Sequence, residues 1–184
     1  MTQMRVRILI GAVIAVLTIT LTGCVAAGQE PAPPGAPTAT QPVAVPGAVA
    51  ITGDIATPST ITPQSLAALP QRTVPVTYSS GTGDQSRTET GVLLSDVIPP
   101  AALKTTTAKN DLLNFAVVAV GADGYSAVVS YGEVSPDFGN RGIMLATSED
   151  GTPLARPRLV VPGDVKGDRY VSDLMSLQVV RVGP

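Results

Sequence analysis

The segment Arg156–Tyr170 reads RPRLVVPGDVKGDRY. Its centre, Leu159-Val160-Val161, is a short apolar run stopped by Pro-Gly-Asp, the pattern of a buried strand that ends in a turn. Arg158, Lys166 and Arg169 flank that run, which makes the same stretch a candidate anion cradle. In such a cradle the arginine forks and the N–H groups of Gly163 and Gly167 converge on the ligand. The competing reading is that Arg158 caps the strand end and pairs with Asp164 or Asp168. Cations interspersed with carboxylates leave no net positive field.

Working outward, GIMLATSEDGTPLARPRLVV is two apolar runs around Asp150-Gly151, and NFAVVAVGADGYSAVVSY repeats the arrangement around Asp123-Gly124. Both are hairpin signals, because Asp-Gly fits the left-handed turn that matches strand twist. AVAITGDI and LMSLQVVRV read as the first and last strands. ITPQSLAAL reads as a short helix with Thr62 as N-cap and Pro63 at its first position, turning Leu66, Ala67 and Leu69 to the core. RTVPVTYSS alternates like a strand, and Pro75 confines it to an edge or a bulge. SGTGDQSRTETG reads as a polar loop, VLLSDVI as a short helix ended by Pro99-Pro100, and EVSPDF as a short helix or loop. The sum is one strand-rich, mixed α/β domain over residues 48–184. Tyr125 and Ser126 line a pocket or cover a hairpin edge. Asp137 and Glu133 are an acid–base pair or a solvated turn.

Composition removes several chemistries. The 184 residues contain no His, and Cys24 is the sole Cys. Ser-His-Asp and Cys-His catalysis, His-containing zinc sites and intrachain disulfides are therefore excluded. The formal charge of −2 becomes about −4 once the N-terminal segment with Arg5 and Arg7 is set aside. With no Trp and no basic cluster, a nucleic-acid partner is not expected.

Residues 1–24, MTQMRVRILIGAVIAVLTITLTGC, have a charged start and an apolar run from Ile8 to Leu21, the layout of an export signal. The run falls short of the roughly 20 residues that span a bilayer. Its end, Leu21-Thr22-Gly23-Cys24, resembles the lipobox of bacterial lipoproteins. That resemblance implies cleavage before Cys24, a lipid on its sulfur, and an extracytoplasmic protein held to the membrane. The alternative is an uncleaved anchor with an incidental Cys. Residues 25–47, rich in Pro and Ala, read as an extended tether.

Three segments taken in order carry a second resemblance: TGVLLSDVI, GADGYSAVVSYGEV and IMLATSEDGTPLARPRLVVPGDVKGDRYVSDLMSLQVV. Leu145-Ala146, Asp150-Gly151, Pro153-Leu154, Arg158 to Gly163, Gly167, Arg169 and Val171 stand where the sulfite oxidase family's molybdopterin-binding domain has its recurrent residues. The resemblance covers Ala48 to Val182 and implies that family's strand-rich α/β fold. Active members hold molybdenum through a pterin dithiolene and one Cys in a C-x-G-N-x-R loop. The ligand position falls here at Ser79 or Ser80, and Arg87 stands for that loop's arginine. A hydroxyl is a far poorer ligand than a thiolate for a metal–sulfur centre. The family's Lys and Trp after the last arginine are Ser172 and Asp173 here, its pterin-holding His residues are absent, and its long insertion is missing.

The resemblance thus implies a reduced domain without the metal-ligating thiolate, in which Ser79, Ser80, Arg87, Arg158, Lys166 and Arg169 are the candidate cofactor-binding residues. Three functions remain open. One is a non-catalytic module for a small anionic ligand or an envelope protein partner. The second is a molybdopterin-dependent oxidoreductase with an unusual metal centre, and the third is a purely structural lipoprotein.

Overall fold

The computed structural model describes residues 45–183. The export signal, Cys24 and nearly all of the tether lie outside the described residues. Among the described residues no helix is long and apolar enough to cross a membrane.

Among the described residues nine strands form two sheets. The five-stranded sheet contains β1 (Val49–Gly53), β2 (Ser59–Ile61), β5 (Phe115–Gly121), β6 (Ser126–Ser130) and β9 (Leu174–Arg181), in the order β2-β1-β9-β5-β6. The four-stranded sheet contains β3 (Gln71–Ser80), β4 (Gly83–Leu93), β7 (Met144–Glu149) and β8 (Thr152–Val160), in that order. All pairings are antiparallel except β1 with β9, where Ile51 lies beside Leu177.

The strands owe their positions to alternation. Phe115, Val117 and Ala119 on β5, Leu177 and Val179 on β9, and Val49 and Ile51 on β1 all turn one face inward. They join Val76, Val92, Met144, Leu159 and Val160 of the other sheet in a single apolar cluster. The RLVV run is the buried end of β8, as its composition requires. Both Asp-Gly pairs turn hairpins, with Asp150 and Gly151 in the left-handed region at φ 50° and 78°.

Helix α1 (Pro63–Ala67) begins as read: Thr62 caps it by accepting from the Ser65 N–H at 3.2 Å, and Pro63 occupies the first turn. Leu66 is buried and Leu69 half-buried, but Ala67 is exposed, because a helix this short turns only a narrow face to the core. The single turns α2 (Leu94–Val97) and α3 (Tyr131–Val134) follow β4 and β6. Pro75 sits on β3, an edge strand, where a missing N–H costs no ladder bond.

A longer stretch also departs from expectation. The stretch read as a polar loop is the strand β4, joined to β3 through Gly81-Thr82. Thr, Ser, Gln and Arg lie on both faces of its first half, so no apolar alternation announces it. Hairpin pairing with β3, from Ser80 opposite Gly83 to Gln71 opposite Val92, holds it extended instead. A bulge follows Thr90, and Gly91 is needed there, since a Cβ would meet the Leu145 carbonyl oxygen at 2.0 Å.

Candidate functional site

The end of β3, the middle of β8 and the segment following Val165 meet in one place. Backbone pairing fixes the approach: Ser79 donates its N–H to the Val165 carbonyl at 2.9 Å, and Ser79 runs parallel to Lys166. A 3-10 turn, Gly167–Arg169, then slides under Tyr78. It can do so only because residue 167 is glycine: a Cβ there would stand 2.6 Å from the Tyr78 ring. Tyr170 follows and packs on Tyr78 with ring centroids 4.6 Å apart and a 51° tilt.

These elements frame a half-open cavity of 220 Å³. Tyr78 and Ser80 of β3, Arg158 of β8, and Asp168, Tyr170 and Ser172 line it. The hairpin β5–β6 braces its rim, with the Tyr125 hydroxyl donating to the Asp168 carbonyl oxygen. Tyr125 therefore covers an edge and does not line this cavity.

The electrostatics centre on Arg158. Its Nη1 contacts Glu89 Oε1 at 3.3 Å and pairs closely with Glu149, and its Nε donates to Ser172 Oγ at 3.2 Å. The two carboxylates come together because β4 and β7 pair Glu89 directly opposite Glu149. Like charges facing one another across strands repel unless a cation joins them. Glu89 is fully buried, and its Oε2 has no hydrogen-bond partner. Burial pushes its carboxyl up to about 7, against the pull of Arg158 and with a further push from Glu149. The Tyr170 hydroxyl is likewise buried without a partner, and burial, with a contribution from Tyr78, raises it to about 12.

The residues singled out in the sequence are therefore only partly brought together. Ser80 and Arg158 share the cavity. Ser79 lines a neighbouring cleft with Asp84 and Asp164, and its hydroxyl donates to Asp84 at 2.7 Å. Lys166 is exposed and forms no ion pair among the described residues. Arg87 lies apart, 3.4 Å from Asp150 and bonded to Gln85. Arg169 also turns away: Asp164 grips it bidentately at 2.6 and 2.7 Å, and Glu133 takes its Nη1 at 3.2 Å.

Asp164 is thus the partner of Arg169, not of Arg158, and Asp168 pairs with neither. Glu133 is consumed by this bridge and by the Ser130 N–H, so it forms no acid–base pair with Asp137. Sequence reading missed Glu89, Tyr78 and Tyr170. The first was hidden in a polar stretch, and the tyrosines looked like ordinary strand and turn residues.

The structure is similar to the crystal structure of the sulfane dehydrogenase SoxCD from Paracoccus pantotrophus, with a TM-score of 0.59 and 20% sequence identity over 72% of this chain. The chain spans 38% of the length of that one. The likeness is one of fold. It agrees with the strand-rich, mixed α/β architecture that the order of motifs leads one to expect. No protein-family model and no curated protein matches the chain.

Proposed function

We propose that this chain is an exported, lipid-anchored envelope protein whose domain serves as a non-catalytic binding module on a molybdopterin-binding-type scaffold. One observation carries the reading. The arginines that would meet a cofactor's anionic groups are each already held by two carboxylates, Arg158 by Glu89 and Glu149, and Arg169 by Asp164 and Glu133.

The residues present do not fit a molybdopterin. At the metal-ligand position both serine oxygens are engaged, Ser79 with Asp84 and Ser80 with the Gly83 carbonyl. A buried carboxyl with an unpartnered oxygen beside Arg158 opposes a phosphate-bearing group there.

The test is to produce the full chain in a host that makes the cofactor, then measure molybdenum content and the fluorescence of the oxidised pterin. The expected result is neither in stoichiometric amount. A ratio near one molybdenum per chain would return the protein to the oxidoreductases. Labelling with a radioactive fatty acid, and its loss in Cys24→Ser, tests the anchor independently.

A further inference from the structure

We propose that the 220 Å³ cavity between β3 and Tyr170 takes a small organic cation, a primary ammonium group on a short aliphatic body. The assignment rests on the binding-module reading above and names the ligand chemistry of that same site.

Charge comes first. The one guanidinium in the wall, Arg158, is neutralised from behind by Glu149, with the neutral Glu89 carboxyl beside it, and Asp168 at the rim adds an acid in excess. Asp168 is exposed, and its carboxylate forms no ion pair among the described residues. The cavity therefore presents a negative potential, which draws cations and repels anions.

The walls come second. Tyr78 and Tyr170 both line the cavity, with their rings tilted at 51°. Aromatic faces attract ammonium groups through the ring quadrupole. Third, Tyr170 is only 9% exposed and its hydroxyl oxygen bonds nothing. A buried polar atom of this kind is costly until a partner arrives, and an ammonium N–H supplies one. Ser80 and Ser172 add hydroxyls beside it. Size sets the upper limit: drug-sized ligands need about 300 Å³ or more, so the occupant is smaller.

The one feature that favours an anion is Arg158 Nη2, which stands outside the bonds made by Nη1 and Nε. Acetate is therefore the counter-probe. The full chain is titrated with ethylammonium chloride, with sodium acetate and with sodium chloride at matched ionic strength, following the amide resonances of Ser80 and of Gly167 to Ser172. Ethylammonium is expected to shift them saturably. Asp168→Asn should weaken that binding about two- to fivefold, as for a solvent-exposed charge. Tyr170→Phe should weaken it about three- to tenfold, as for one hydrogen bond, while leaving the fold intact.

Saturable binding of acetate in place of ethylammonium overturns the assignment, and so does an affinity unchanged in both variants. A molybdenum-free chain that ignores ethylammonium sinks the cation assignment alone. A chain carrying one molybdenum sinks the binding-module reading beneath it.

Discussion

Two half-buried arginine clusters in this domain use the same groups to opposite effect. At the end of β9, Arg181 grips Asp111 bidentately, both contacts at 2.8 Å. The Thr106 N–H and the Asn114 amide supply two more donors to that carboxylate, and the guanidinium lies 4.4 Å from the centre of the Phe115 ring. Every oxygen of Asp111 is satisfied, and Arg181, with the Thr106 N–H behind it, holds the carboxyl well below the usual range. Around Arg158 the numbers are reversed: two carboxylates share one cation, and Glu89 Oε2 is left without a donor. There burial wins, and Glu89 keeps its proton to about pH 7. An arginine is present in both clusters; at Asp111 its paired bonds prevail, and at Glu89 burial outweighs it.

The sharpest way to break this contrast is to remove Arg158. Arg158→Met leaves two opposed carboxylates without their cation, and unfolding in urea at pH 8 should show a loss of about 3–5 kcal/mol. The loss should shrink at pH 5, where Glu89 is neutral in both proteins.

A somewhat smaller effect appears in the unaltered protein as pH is varied. Glu89 holds a proton to about pH 7 when folded, against 4.5 for a free side chain. Between those values the folded chain binds more protons than the unfolded one, so stability falls as pH rises through that window and levels off above it. The amplitude is about 2–3 kcal/mol. Thermal unfolding followed by circular dichroism at pH 5 and 8 measures it. Glu89→Gln should flatten the profile, and an unchanged slope in that variant would locate the titrating group elsewhere.

Asp111 gives the opposite limb. Its folded value lies below the ordinary 3.8, so its stabilisation is complete above that pH and disappears as pH falls toward the folded value. Asp111→Asn should lower the melting temperature at pH 6 and converge with the parent protein in strong acid. The smallest change belongs to Tyr170→Phe, which deletes an oxygen that bonds nothing. Stability should stay within about 1 kcal/mol of the parent, on the side of a gain.

Why sequence reading served one cluster's surroundings and not the other follows from the same residues. The hairpins at Asp123-Gly124 and Asp150-Gly151, the Thr62-Pro63 helix start and the buried end of β8 all rest on local chemistry, so each was legible. Arg158 was singled out from the RLVVPG motif and Ser80 from its place before TGVLL, and the structure brings the two to one cavity. Glu89 was not, because its meaning lies in a register: only the pairing of β4 with β7 sets it opposite Glu149, and β4 has no apolar pattern to betray it. Arg169 misled for a related reason. Its partners Asp164 and Glu133 are 5 and 36 residues away, and nothing in spacing chooses between them and Arg158.

The parallel pairing of β1 with β9 also governs when the domain can form. β9 is the central strand of the five-stranded sheet, flanked by β1 and β5, yet among the described residues it is the last strand in chain order. Until Leu174–Arg181 has emerged, β1 has only the three-residue β2 to pair with and the β5–β6 hairpin stands alone, each too small to be stable. Closing the sheet joins segments separated by more than a hundred residues, a slow, late event in folding. The four-stranded sheet, whose strands all precede β9, has its full set of partners earlier, so the two sheets are completed in sequence and the five-stranded one closes last.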